Sequence, residues 1–179
     1  MKLFLINMLT VSRIFLGSLI FLFLTRTDLY WAAFVLFIFA GITDFFDGYY
    51  ARKYNAVSEI GEILDPIADK ILIVFLLFAI SVSLSSFYIA FAGSIIITRE
   101  IWVGALRDFN ARQNKSSATK VTFLAKIKTT IQLFTISIYM IGLALNNMLM
   151  ILFADICLLI ACTVTIYTGY IYTLNTFKK

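Results

Sequence analysis

The sequence contains no histidine, one proline and two cysteines. The absence of histidine excludes histidine-based acid–base catalysis and zinc sites with histidine ligands. The two cysteines, Cys157 and Cys162, lie in one apolar segment, and on a helix their spacing points them in different directions. We therefore predict that both pack inside the protein, and they indicate neither a disulfide nor a cellular compartment.

Charged residues are also scarce, at 14% of the 179 residues, whereas 61% are hydrophobic and the mean hydropathy is +0.95. Soluble domains are about 45–50% apolar, so this composition indicates an integral membrane protein. The length suits one compact domain, residues 1–179, with no separate soluble domain. The lipid bilayer is thus an expected partner, and nucleic acid is not.

Long apolar segments predict an all-α fold with six transmembrane helices. The predicted spans are Leu5–Leu24, Tyr30–Lys53, Glu59–Val82, Ser86–Arg112, Val121–Leu145 and Met148–Thr173. Polar residues crowd one end of the first five spans, and the opposite ends are almost purely apolar. Because a channel or transporter would place polar groups at the midplane and beyond it, the pattern predicts a polar cavity that opens to one side only.

The distribution of cations predicts which side that is. The first loop carries only Arg26 and Asp28, and the loops near Ser83–Ser86 and Asn146–Asn147 carry no charge. The cations near the other ends of the spans are Lys2, Arg52, Lys53, Arg112, Lys115, Lys120, Lys178 and Lys179. The positive-inside rule then predicts a multi-pass protein whose cavity and two termini face the cytoplasm.

Four aspartates stand out between residues 44 and 69. Asp44 and Asp47 share one face at the end of span two, and Asp65 and Asp69 share one face at the start of span three. The short connection makes these two helices antiparallel neighbours, so the acidic faces can meet. Four ionised acids need cations in such apolar surroundings, and carboxylate oxygens suit Mg²⁺ or Mn²⁺.

Ion pairing with protein cations is the alternative for these aspartates. The nearby cations are Arg52, Lys53 and Lys70. They suffice for one or two carboxylates but not comfortably for four, which favours the metal site. Gly48 and Gly61 adjoin the acids, where a small residue lets a ligand or a helix approach the backbone.

A second, basic group follows in spans four and five. Its members are Arg99, Arg107, Lys126 and Lys128. The acids Glu100 and Asp108 could pair with them, but the cations outnumber these partners, which favours phosphate binding. Structural pairing and interfacial snorkelling stay open as the alternative.

Two further polar features carry less information. Asn7, Thr10 and Arg13 are three apart on one face of the first helix, where helix capping or interfacial anchoring explains them equally well. Asp155 is isolated in span six, and we assign it no functional role.

The acidic stretch resembles the motif of the CDP-alcohol phosphotransferase family, D-x₂-D-G-x₂-A-R-x₈-G-x₃-D-x₃-D. Every fixed position is filled, by Asp44, Asp47, Gly48, Ala51, Arg52, Gly61, Asp65 and Asp69. Similarity to the family extends to residues 7–13, 65–70, 98–107 and 126–129, and it adds little after Ile131.

The resemblance implies six transmembrane helices, a homodimer, and transfer of a phosphatidyl group from CDP-diacylglycerol to an alcohol. For the branch of the family that the chain resembles most, the alcohol is sn-glycerol 3-phosphate and the products are phosphatidylglycerophosphate and CMP. Alternatives within the family are a cardiolipin synthase and a phosphatidylinositol-phosphate synthase. An alternative from another class is a divalent-cation channel or transporter.

The resemblance also implies a role for each group of residues. The ligands of two Mg²⁺ or Mn²⁺ ions would be Asp44, Asp47, Asp65 and Asp69, and Asp69 would also be the catalytic base. The CDP-diacylglycerol site would be formed by Asn7, Thr10, Arg13, Gly48, Ala51, Arg52 and Gly61. The phosphate of glycerol 3-phosphate would be bound by Arg99, Arg107, Lys126 and Lys128.

Overall fold

The computed structural model describes the backbone of residues 2–54, 59–113, 119 and 123–178. Side chains are described for residues 8, 10–46, 61, 64, 66–113, 119, 123, 124 and 127–178. The elements are α1 Lys2–Arg26, α2 Tyr30–Tyr54, α3 Glu59–Ser83, α4 Phe87–Arg112, α5 Phe123–Ala144 and α6 Met148–Phe177. No strand occurs in these ranges, so the predicted all-α fold is confirmed.

Several of these helices are long and apolar enough to cross a bilayer. Within the described residues four segments meet that condition: Pro66–Ser83, Phe87–Arg112, Ile127–Ala144 and Met148–Phe177. In α2 a shorter apolar segment runs from Tyr30 to Phe46. The chain is therefore a multi-pass membrane protein by composition, while six complete spans and their orientation stay predictions.

Three helix pairs are joined by tight turns. In each turn one non-glycine residue adopts a left-handed backbone conformation: Asp28 with φ 53°, Ser85 with φ 47° and Asn146 with φ 49°. Directly after two of them, Ser86 and Asn147 cap the next helix, because their side-chain oxygens accept hydrogen bonds from backbone N–H groups of its first turn. The chain thus reverses within a few residues, and the paired helices run antiparallel.

The hydrophobic core lies in the half of the bundle near these turns. There α3 packs against α1 and α4, and α6 packs against α4 and α5. Core side chains with almost no exposure include Ile20, Leu24, Leu76, Ile80, Ile89, Met140 and Leu158. Most ionisable side chains lie in the other half, which agrees with the uneven distribution seen in the sequence.

Two polar features of the core half were noted in the sequence. Both cysteines are buried free thiols, which confirms the packing prediction. Asp155 accepts a hydrogen bond from the hydroxyl of Tyr139 through its carboxylate and one from Tyr88 at 2.9 Å through its backbone carbonyl. Asp155 therefore links α6 to α4 and α5.

Candidate active site

Arg13 lies at the centre of the polar half of the bundle. Its side chain is fully buried on α1, and its Nη1 donates to Oδ1 of Asp44 on α2 and to Oδ1 of Asp69 on α3. One guanidinium nitrogen therefore draws together carboxylates from two other helices. This contact differs from the predicted ion-pairing alternative, which considered only Arg52, Lys53 and Lys70.

The two aspartates that Arg13 contacts remain partly hydrated. The side chains of Asp44 and Asp69 are 51% and 52% exposed. Water at these carboxylates lowers the free-energy cost of holding them ionised at the edge of an apolar bundle. The two half-exposed carboxylates of Asp44 and Asp69, bonded to the buried guanidinium of Arg13, are called here the acidic centre.

The acidic centre fits part of the predicted metal site. Each carboxylate has a second oxygen besides the one bonded to Arg13, and such oxygens are the ligands that Mg²⁺ and Mn²⁺ prefer. Asp47 and Asp65, the other predicted ligands, have side chains outside the described residues. Among the described side chains no cluster of three or more His, Cys, Asp or Glu residues could hold a metal ion.

Two cavities meet at Asp69. The first, of about 790 Å³, lies among α2, α3 and α5, has Arg13 and Asp44 at its polar end, and is otherwise mostly apolar. The second, of about 370 Å³, lies among α3, α4 and α5. Its charged lining comes from Asp69, Lys70, Glu100 and Lys128. Asp69 can therefore contact a ligand in either cavity.

The basic group is partly neutralised by one acid. Arg99 and Lys128 are both buried, with 8% and 5% exposure, and both donate to Oε1 of Glu100, Arg99 at 3.0 Å. The alternative of structural pairing thus applies to these two cations. Their combined charge still exceeds that of Glu100.

Arg99 and Arg107 converge on one aromatic ring. The guanidinium carbons of Arg99 and Arg107 lie 5.7 Å and 6.0 Å from the ring centroid of Tyr172. Arg107 is exposed, and it forms no ion pair within the part of the chain that the structure describes. The ring is a partner that the sequence did not identify, because an aromatic residue in a transmembrane segment usually packs against neighbours without further function.

The structure describes the side-chain burial of only two of the remaining predicted site residues, Thr10 and Gly61. Thr10 is fully buried one turn before Arg13 on α1, and Gly61 is buried on α3. The side chains of the other predicted residues lie outside the described set: Asn7, Gly48, Ala51, Arg52 and Lys126.

The fold and the site define a helical membrane protein with an acidic centre between two cavities and a basic group beside it. A model of the CDP-alcohol phosphatidyltransferase family matches residues 3–167, and the chain belongs to that family. The resemblance noted in the sequence is thereby confirmed. Members of the family generally depend on a divalent metal.

Curated relatives agree with this assignment. The chain is 43% identical over 139 residues to the CDP-diacylglycerol–glycerol-3-phosphate 3-phosphatidyltransferase of Rickettsia bellii, which covers 77% of the chain and 75% of the relative. It is 38% identical over 173 residues to the enzyme of that name from Rickettsia felis, covering 93% and 91%. The Cereibacter sphaeroides enzyme of that name is 40% identical over 146 residues, covering 79% of the chain and 65% of the relative.

Proposed function

We propose that this protein transfers the phosphatidyl group of CDP-diacylglycerol to sn-glycerol 3-phosphate and releases CMP. The observation that carries the proposal is the position of Asp69, which lines both cavities. A base between two substrate sites can act on a hydroxyl in one of them while the other holds the phosphorus that is attacked. The names of the relatives support this choice of donor and acceptor.

The larger cavity suits the lipid donor. Its walls on α2 and α5 carry apolar side chains such as Phe37, Phe45 and Phe134, which can accept acyl chains. Its polar end carries Arg13 and Asp44. The cytidine diphosphate part would lie there, against the predicted donor site: Asn7, Thr10, Arg13, Gly48, Ala51, Arg52 and Gly61.

The acidic centre would hold the divalent metal. The proposed ligands of two Mg²⁺ or Mn²⁺ ions are Asp44, Asp47, Asp65 and Asp69. When bound there, such ions would supply positive charge next to the pyrophosphate of the donor. Arg13 holds two of these carboxylates close together, because its Nη1 donates to Asp44 of α2 and to Asp69 of α3.

The basic group suits a phosphorylated acceptor. Arg99 and Arg107 lie over one ring although both are positively charged, and a phosphate between them would relieve their repulsion. Lys128 lines the smaller cavity beside Asp69. With Lys126, these residues form the proposed phosphate site for glycerol 3-phosphate.

The proposed reaction is a single displacement. Asp69 takes the proton from the 1-hydroxyl of glycerol 3-phosphate, and the hydroxyl oxygen forms a bond to the β-phosphorus of CDP-diacylglycerol. The bond from that phosphorus to the bridging oxygen breaks, and CMP leaves with the electron pair. Phosphatidylglycerophosphate is the second product.

We further propose that the protein is a homodimer in the cell membrane, with the cavities and both termini on the cytoplasmic side. The support for the orientation is the concentration of cations at one set of helix ends. The support for the dimer is membership of the family.

An acceptor assay tests the proposed function. Purified protein with CDP-diacylglycerol and Mg²⁺ is expected to release CMP and form phosphatidylglycerophosphate when glycerol 3-phosphate is added. Phosphatidylglycerol and inositol phosphate, offered separately, are expected to yield no lipid product. Product from either of these and none from glycerol 3-phosphate would assign another activity of the family, and metal flux into liposomes without CMP release would favour a channel.

Replacing Arg107 with alanine tests the acceptor site. Charge-assisted hydrogen bonds contribute about 1.5–3 kcal/mol, so we expect the KM for glycerol 3-phosphate to rise about tenfold or more. The KM for CDP-diacylglycerol should stay nearly constant. Arg112→Ala is the matched control, since Arg112 is exposed five residues later on the same helix, α4. An equal rise in both KM values would argue against the assignment.

A further inference from the structure

We propose that one face of α6, formed by Thr165, Thr168, Gly169 and Tyr172 and called here the α6 clamp, positions Arg99 and thereby sets the affinity for the phosphorylated acceptor. The inference rests on the proposed function, in which Arg99 binds the acceptor phosphate. The match to the family ends at residue 167, so most of the clamp lies beyond it.

The clamp holds one edge of the Arg99 guanidinium. Nε donates to the backbone carbonyl of Thr165 at 3.1 Å, and Nη2 donates to Oγ1 of Thr168 at 2.7 Å. Nη1 donates to Glu100. Since the guanidinium has five N–H donors, these contacts leave each terminal nitrogen a second N–H for a ligand, and they fix the plane in which those donors lie.

Thr168 is itself held in the orientation that this contact needs. Its hydroxyl oxygen lies 2.8 Å from the carbonyl oxygen of Val164 and 3.0 Å from that of Thr165, and it donates its one proton to this pair of backbone acceptors. With its proton directed to the backbone, the oxygen is left to accept from Arg99. Thr168 is only 2% exposed, so water is a poor substitute for this acceptor.

The aliphatic part of Arg99 and the face of its guanidinium are held as well. A Cβ atom at Gly169 would lie 3.0 Å from Cγ and 3.4 Å from Nε of Arg99, so a larger residue at this position would push the Arg99 side chain aside by a few tenths of an ångström. The ring of Tyr172, 1% exposed, faces the guanidinium carbon. The four clamp residues follow the i, i+3, i+4, i+7 spacing of one helix face.

This arrangement preorganises the phosphate site. An arginine side chain that moves freely loses rotamer freedom when it binds an anion, and this loss lowers affinity. Arg99 has already lost that freedom to α6 before the acceptor arrives. Tyr172 also restricts the side chain of Arg107, because the Arg107 guanidinium lies against the same ring.

Thr168→Val tests the clamp, because valine keeps the shape of the side chain and removes the acceptor. We expect the KM for glycerol 3-phosphate to rise about tenfold, as for loss of a hydrogen bond to a charged group. We expect kcat and the KM for CDP-diacylglycerol to stay nearly constant, since binding is lost equally from ground and transition states. Thr168→Ser restores a hydroxyl and should restore the KM.

Gly169→Ala gives a second, independent test through steric displacement of Arg99. Gly169→Ala should raise the KM for glycerol 3-phosphate. The control is Gly93→Ala on α4, which should leave this KM unchanged, since a Cβ atom there meets only Leu77 at an ordinary contact distance of 3.5 Å. An unchanged KM for glycerol 3-phosphate in Gly169→Ala, or in a folded Thr168→Val, would overturn the clamp. So would a Thr168→Ser variant as impaired as Thr168→Val. Failure of the proposed function is distinct, because the wild-type protein would then form no phosphatidylglycerophosphate.

Discussion

The Asp69→Asn variant is expected to lose turnover by about 10²–10⁴-fold, the usual contribution of a general base. Asparagine has nearly the same shape and keeps an oxygen that can accept from Nη1 of Arg13, so the contact between α1 and α3 survives. Its amide cannot take the proton of the attacking hydroxyl. CMP release measured with saturating CDP-diacylglycerol and glycerol 3-phosphate should therefore be almost abolished, while CDP-diacylglycerol still binds.

A second measurement separates the two roles proposed for Asp69. Mn²⁺ binding, followed in the same variant, should be largely kept if Asp69 acts chiefly as the base; its complete loss would make Asp69 chiefly a ligand. The matched control is Asp28→Asn, in the turn between α1 and α2 far from the site. Asp28 has a left-handed φ of 53°, which asparagine tolerates.

The Arg13→Gln variant is expected to lower kcat/KM by about 10²-fold or more, the effect of a misplacement of roughly 1 Å in catalytic groups. Glutamine carries no charge and is shorter than arginine. Asp44 and Asp69 would then repel each other without the shared cation that now joins them. Both acids are half exposed and can be hydrated, so their repulsion costs little stability. We therefore expect only a small decrease of the thermal midpoint beside the large decrease of kcat/KM.

The comparison for this variant is Arg26→Gln, a change of the same kind at the exposed end of the same helix. Steady-state CMP release and the thermal midpoint should match the wild type there. If Arg13→Gln kept full kcat/KM, Arg13 would only fill space between α1, α2 and α3.

Helices and the acidic motif were predictable because each depends on residues close in sequence. Apolar segments that span hydrocarbon must form helices, since the backbone finds no water to bond, and the six predicted spans lie within a few residues of α1 to α6. The largest difference is at the end of α6, which lies at Phe177 instead of Thr173. There the apolar pattern weakens before the helix ends.

Contacts between distant residues were harder to foresee. Arg13 is 31 residues from Asp44 and 56 from Asp69, and its pairing depends on which face of α1 packs against α2 and α3. The α6 clamp likewise depends on contacts between residues far apart in sequence, since Arg99 is 66 residues from Thr165 and 69 from Thr168. Threonine, glycine and tyrosine are common in transmembrane helices as packing residues, so nothing in their order reveals that they surround an arginine of α4.

The tight turns at Asp28, Ser85 and Asn146 bear on how the chain enters the bilayer. If each helix pair inserts tip first, its turn must cross the hydrocarbon, where a charged residue costs about 2.5–3.5 kcal/mol at the centre. The second and third turns carry no charge, and the first carries one arginine and one aspartate of opposite sign. Insertion is therefore hardest for α1 and α2, while the ionisable side chains of the site, toward the opposite helix ends, need not cross the full bilayer.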